Sequence, residues 1–188
     1  MQDAPQERWY ALYVRPHHEK SVTSQLAAKR QNVFLPLYTD RRRWADRWKN
    51  VNLPLFPSYV FCHFDARDRA RVLTTPGIID LVRHDGSPAP LEDSEIEAIR
   101  KVVQSNVKAE PYQDSVDGRD VLIVEGPLSG ISGRLIETRK GPRLVVSVDL
   151  LCRSVLVEID RNWAAPTFPG SGTWHEAHAH ALVHQNVI

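Results

Sequence analysis

The sequence predicts an α+β domain built on a mostly antiparallel sheet, followed by a small all-β barrel. Three observations carry this. Up to about residue 107, strand-like runs alternate with helical ones. Across 108–118 the apolar pattern lapses into a linker, and beyond it only short strands remain, separated by glycine or proline turns. The chain has 188 residues, enough for two small domains, and its 42% hydrophobic and 25% charged content is ordinary for a soluble globular protein.

Trp9-Tyr10-Ala11-Leu12-Tyr13-Val14 is rich in strand formers and apolar at both parities, so both faces of this strand should be covered. Pro16 suits the first turn of a helix over about His17 to Arg30, with Val22 and Leu26 one helical repeat apart. Val33 to Tyr38 forms a second strand, and Leu53 to Phe64 brings the chain back, so 33–64 reads as a long hairpin. Asp65 can cap a second helix carrying Arg67, Arg69 and Arg71, which Thr75-Pro76-Gly77 ends. Ile78 to Val82 is a strand. Asp93 then caps a third helix with an apolar stripe of Ile96, Ile99 and Val103.

After the linker, strands over 121–124, 133–137, 144–148 and 155–159 fit a barrel spanning 119–165, because closure removes the exposed edges of so small a sheet. Residues 166–188 belong to neither core and read as a disordered end. His175, His178, His180 and His184 lie there at helical spacings, yet no carboxylate is placed to orient imidazoles, so neither a metal nor any other cofactor is expected. Cys62 and Cys152 both fall in apolar strand-like runs and match no metal spacing, as small buried hydrophobes would.

The net charge of +1 is uninformative, but its distribution is not. The hairpin tip Arg41-Arg42-Arg43-Trp44-Ala45-Asp46-Arg47-Trp48-Lys49 holds five cations and two tryptophans in nine positions. Such a run is often solvated surface. Interleaved indoles favour nucleic acid, because they can stack on bases while cations hold phosphates. On the returning strand, Tyr59, Phe61 and His63 share one face and Val60, Cys62 and Phe64 the other. One face must pack on helices. The other is either core or an exposed patch marking an interface.

No run of eighteen apolar residues exists, and the N-terminal residues lack a secretory signal's apolar stretch, so a cytoplasmic protein without membrane contact is expected. No phosphate loop, nucleophile elbow or paired His-Glu zinc motif is present, so no catalytic residue is expected.

Four segments resemble, in order, the signatures of the NusG family of transcription factors. They are Trp9 to Val14, Pro54-Leu55-Phe56-Pro57-Ser58-Tyr59-Val60-Phe61, Thr75-Pro76-Gly77-Ile78, and Gly126-Pro127-Leu128-Ser129-Gly130-Ile131-Ser132-Gly133, the last similar to a KOW-barrel turn. The resemblance implies a NusG-type domain at 1–107 that docks on the clamp helices of RNA polymerase through Tyr13, Phe56, Pro57, Tyr59 and Phe61, with Arg67 and Arg71 facing the opposite lobe. It implies upstream or non-template DNA contacts by Arg15, Arg41, Arg42, Arg43, Trp44, Arg47, Trp48 and Lys49. Its KOW barrel would recruit Rho or a ribosomal protein of the small subunit through Ile131, Leu150, Leu151 and Arg153. A monomer that suppresses pausing is the implied actor. The short connection Arg30 to Val33, and Leu151-Cys152-Arg153 where the family has phenylalanine-glycine-arginine, resemble specialised paralogues of the RfaH type. Arg15 is kept relative to that paralogue, whereas Gln25, Ala28 and Pro76 depart from its DNA contacts. The alternative is a ribosome-associated KOW-type RNA-binding protein, which would seldom carry such an N-terminal domain.

Overall fold

The computed structural model describes residues 6–44, 47–113 and 117–167, and the histidine-bearing end lies outside them. The elements are β1 (Glu7–Val14), α1 (Glu19–Ala28), β2 (Asn32–Phe34), β3 (Leu37–Trp44), β4 (Arg47–Pro54), β5 (Tyr59–Asp65), α2 (Arg69–Leu73), β6 (Ile78–Leu81), β7 (Arg83–His84), β8 (Ser87–Pro88), β9 (Pro90–Leu91) and α3 (Asp93–Gln104). Then come β10 (Ala109–Tyr112), β11 (Arg119–Ile123), β12 (Ser132–Thr138), β13 (Gly141–Val148), β14 (Arg153–Glu158) and β15 (Ala164–Pro166).

The first sheet has the order β2-β5-β1-β6, with β9 also pairing β1. Its central strands follow the double coverage that their sequences demand. Tyr10, Leu12 and Val14 of β1 join Val60, Cys62 and Phe64 of β5 against Val22 and Leu26 of α1 and Val72 of α2. On the other face Trp9, Ala11 and Phe61 pack with Leu55 and Phe56 and with Ile96, Ile99 and Val102 of α3. The second face is therefore largely core rather than an open patch. The stripe of α3 includes Val102, which is 1% exposed, and Val103 packs half-buried against the same cluster.

Several boundaries move for local reasons. Pro16 lies before α1, where His17 takes a φ of 66°. Asp65 accepts the Arg67 amide at 2.9 Å, but it caps a 3-10 turn over Ala66–Asp68, and α2 begins only at Arg69. Asp93, however, is the first helical residue of α3; Glu92 precedes it, its amide donating to Glu95 Oε2 at 3.2 Å. The expected continuous hairpin over 33–64 breaks at Pro36: β2 stays in the main sheet, while β3 and β4 form their own two-stranded ribbon. Two glycines are required by their surroundings. Gly77 turns at φ 101° with Val22 Cγ2 only 2.9 Å from where a Cβ would stand, and Gly126 at φ 76° lies under the Trp163 ring.

The second sheet runs β10-β14-β13-β12-β11-β15, all antiparallel. Two of its strands were not read from the sequence. β10 comes from the segment taken as linker, and pairs Ala109↔Val157 through Tyr112↔Ser154; β15 closes against β11 just after Trp163. Cys62 is buried, which pushes its thiol up to about 12. Cys152 departs from expectation. It is exposed, at φ 47°, in the turn between β13 and β14.

The two sheets are joined through α3. Its Glu95 Oε1 accepts the Asp149 amide at 2.9 Å, and Lys101 Nζ donates to the Ser129 carbonyl. One apolar cluster continues from Ile96, Ile99 and Val102 into Val121, Ile123, Leu128, Leu144 and Val155.

Candidate functional site

The apolar face of the first sheet opens at the Tyr13–Tyr59 end. Tyr13 and Tyr59 are directly paired across β1 and β5, with ring centroids 5.6 Å apart, and Tyr13 is 41% exposed. They share parity with the covered residues Trp9, Ala11 and Phe61, so the same surface passes from core to solvent along its length. With Pro57, Ser58, Asp80, Leu81 and Val82 they line an open groove of about 500 Å³, to which Gln113 and Arg153 contribute from later in the chain.

The loop edge of this groove is held by a group that the sequence reading passed over. Ser58 takes a φ of 67°, costly for a residue with a Cβ. The buried Glu19 carboxylate accepts its amide at 2.8 Å, and the Ser58 carbonyl accepts the Val14 amide at 2.9 Å. Glu19 opens α1 directly after His17-His18, and an acid at a helix start was the available signal.

Phe56 and Phe61 do not belong to the exposed site. They are 2% and 0% exposed, and meet edge to face with centroids 5.4 Å apart at 83°. Burying both aromatics is favoured because each removes a large apolar area from water. Pro57, between Phe56 and Tyr59, is exposed.

The ribbon of β3 and β4 is a basic arm. Opposed residues lie on one face, so the pairs Arg41↔Asn50 and Arg43↔Trp48 stand on one side and Arg42↔Lys49 on the other. By the same alternation Arg47 falls with Lys49. The five cations are thus divided between two faces. The Arg41 guanidinium lies 5.1 Å from the Trp48 ring centroid, and Trp48 is 58% exposed. Arg42 pairs with Asp40 at 3.0 Å. The base is pinned by Thr39 Oγ1 to Asn52 Oδ1 at 3.0 Å and by Lys20 Nζ to the Asn52 carbonyl at 2.7 Å. The Trp44 side chain and residues 45–46 lie outside what is described. Arg15 is exposed near α1, its amide bonded to the Gly77 carbonyl at 2.9 Å.

Arg67 and Arg71 are not side by side as a free basic face. Arg67 Nε donates to both Asp65 oxygens at 2.9 and 3.0 Å, which holds the Asp65 carboxyl well below the usual carboxylate range. Arg71 donates to the Lys29 carbonyl at 3.0 Å, while Lys29 Nζ returns to the Arg71 carbonyl at 3.1 Å.

In the second sheet, Ile131 and Leu151 are buried at 3% and 7%, and Leu150 is half-buried against the joint apolar cluster. Of the four residues expected to meet a partner there, Arg153 alone reaches the groove.

The chain is thus an α+β platform bearing a basic ribbon, followed by a small all-β domain. The family model described as "Transcription termination factor nusG" matches residues 7–100. The Lactococcus lactis subsp. lactis (strain IL1403) transcription termination/antitermination protein NusG is 30% identical over 166 residues, covering 81% of this chain and 89% of that protein. A solved structure concerned with domain interaction in Thermotoga maritima NusG superposes with a TM-score of 0.54 at 21% identity, over 86% of this chain and 97% of that one, and supports the fold. The chain belongs to the NusG family of transcription termination/antitermination factors.

Proposed function

We propose that this chain binds RNA polymerase through the Tyr13–Tyr59 end of its first sheet, suppresses pausing, and touches upstream or non-template DNA with the β3–β4 arm. The observation that carries the reading is the opening at the Tyr13–Tyr59 end of a largely covered apolar face, beside a groove of about 500 Å³. Exposed aromatics framed by polar groups are what protein interfaces use as energetic centres. Pro57 and the Glu19-held Ser58 loop give that opening a fixed edge. Arg15 and the arm supply cations for phosphates.

The second domain would recruit a further partner, Rho or a small-subunit ribosomal protein, through Leu150, Leu151 and Arg153. Leu151 is buried against the first domain's cluster, so this contact requires local rearrangement. The short connection from Arg30 to Val33 and the Leu151-Cys152-Arg153 sequence support a specialised member serving a restricted set of operons.

The test is Tyr13→Asp in the full chain, titrated against bacterial core RNA polymerase. A charge at the centre of the contact should weaken binding by at least about tenfold, or 1.4 kcal/mol. Circular dichroism should be unchanged, because Tyr13 is 41% exposed. Wild-type affinity in a folded variant overturns the assignment.

A further inference from the structure

One wall of the groove at Tyr13 and Tyr59 comes from the second domain. It is formed by Arg153, the first residue of β14, which faces Asp80 of the first domain across the groove lining. The turn before Arg153 fixes where it stands. Asp149–Leu151 form a 3-10 turn, and Cys152 follows at φ 47°, its amide donating to the Asp149 carbonyl at 3.0 Å. Glu95 Oε1 of α3 accepts the Asp149 amide at 2.9 Å. Leu151 is 7% exposed, within the cluster that α3 shares between the two sheets. A helix of the first domain therefore sets the position of a cation of the second.

The two charges of the groove differ in their commitments. Asp80 Oδ1 accepts the Leu81 amide at 2.8 Å and Arg83 NH2 at 3.1 Å. Arg153 is half-buried, and its guanidinium has no hydrogen-bonded or ionic partner among the described residues. Taking a charge partly out of water without an anion is costly, and arginine is seldom buried unless paired. The missing carboxylate must come from outside the chain. The docked second domain also leaves the opening accessible, since Tyr13 is 41% exposed and Pro57 is exposed.

We infer that Arg153 belongs to the polymerase contact: the second domain, docked on α3, completes the groove and offers its guanidinium to an acidic side chain of the polymerase. That acid would lie beside the apolar group that seats on Tyr13 and Tyr59. The inference rests on the polymerase reading given above and adds to it a partner chemistry and a second contributing domain. A planar guanidinium suits the task, because its fork of donors matches a carboxylate. Docking of the second domain is then an aid to binding. A masking domain would instead cover Tyr13 and spend Arg153 on a partner within the chain.

The experiment titrates full-length wild type, Arg153→Gln, Arg153→Lys and Tyr13→Asp against core RNA polymerase over a series of salt concentrations. Arg153→Gln should weaken binding at low salt by at least about fivefold, as loss of one partner of a partly buried charge pair does. Its affinity should also fall less steeply with salt than that of wild type, because one screened attraction is gone. Arg153→Lys keeps the charge, and should recover part of the affinity together with the wild-type salt dependence. Binding by Arg153→Gln as tight as wild type or tighter, while Tyr13→Asp still weakens it, overturns the inference and leaves the polymerase reading standing. A loss in Arg153→Gln that keeps the wild-type salt dependence overturns it too, since Arg153 would then act through the fold alone. Wild-type affinity in a folded Tyr13→Asp variant removes the polymerase reading, and the inference with it.

Discussion

Phe56, in the connection before β5, packs on the same apolar sheet face whose open end carries Tyr13, yet one is enclosed and the other half open. Alternation along β5 and β1 shows which residues share that face, but not how far α3 reaches over it. Phe56→Ala should therefore cost about 3–5 kcal/mol of stability by leaving a cavity, measured by denaturant unfolding, whereas Tyr13→Ala should cost far less. The aromatic residues of this face were legible in sequence as a group. Dividing them into core and contact needed the position of α3, set by long-range packing. Asp65 offers a pH test. Arg67 depresses its carboxyl pKa, so its contribution to stability is present above about pH 4 and is lost as pH falls from there towards the depressed value. Asp65→Asn should flatten the acid limb of a melting-temperature-against-pH curve and change nothing in the slope between roughly pH 6 and 8, above ordinary carboxylate titration. An acid limb as steep as wild type would place the effect elsewhere.

At the scale of elements, helices and strands with strong periodicity were readable, and those fixed by turns were less so. β7 and β8 flank Asp85-Gly86, both at positive φ, which is the hairpin signal that the sequence offered and the reading missed. β10 and β15 are short, and they exist because β14 and β11 present open edges to them; nothing local announces this. The arm was visible as a basic, aromatic run, but its division into two faces follows only from the Arg43↔Trp48 register. That division makes a prediction. If nucleic acid lies on the Trp48 face, Arg41→Gln with Arg43→Gln should remove most DNA crosslinking in stalled transcription complexes. Arg42→Gln with Arg47→Gln and Lys49→Gln should then have the smaller effect, although it removes more charge. Crosslinking that simply tracks the number of cations removed would show a delocalised phosphate contact instead.

At the scale of the whole molecule, α3 belongs to both halves. Its apolar stripe closes the first sheet's core and continues into that of the second, while Glu95 and Lys101 bond to Asp149 and Ser129. The carboxyl of Glu95 is raised in pKa by burial, as expected for an acid drawn into such a junction. Hydrogen bonds of this kind contribute on the order of 1 kcal/mol each, so the apolar contact must supply much of the docking. Cys152 provides a native probe: it is exposed beside Arg153, which lines the groove with Tyr13, whereas the other thiol, Cys62, is buried and unreactive. A spin label on Cys152 should broaden the amide resonances of Ser58, Tyr59 and Asp80 in the first domain. Glu95→Ala with Lys101→Ala should weaken that broadening without unfolding either domain, because both bonds cross the junction and neither side chain is fully buried. Equal broadening in the double variant would mean that the apolar cluster alone holds the two domains together.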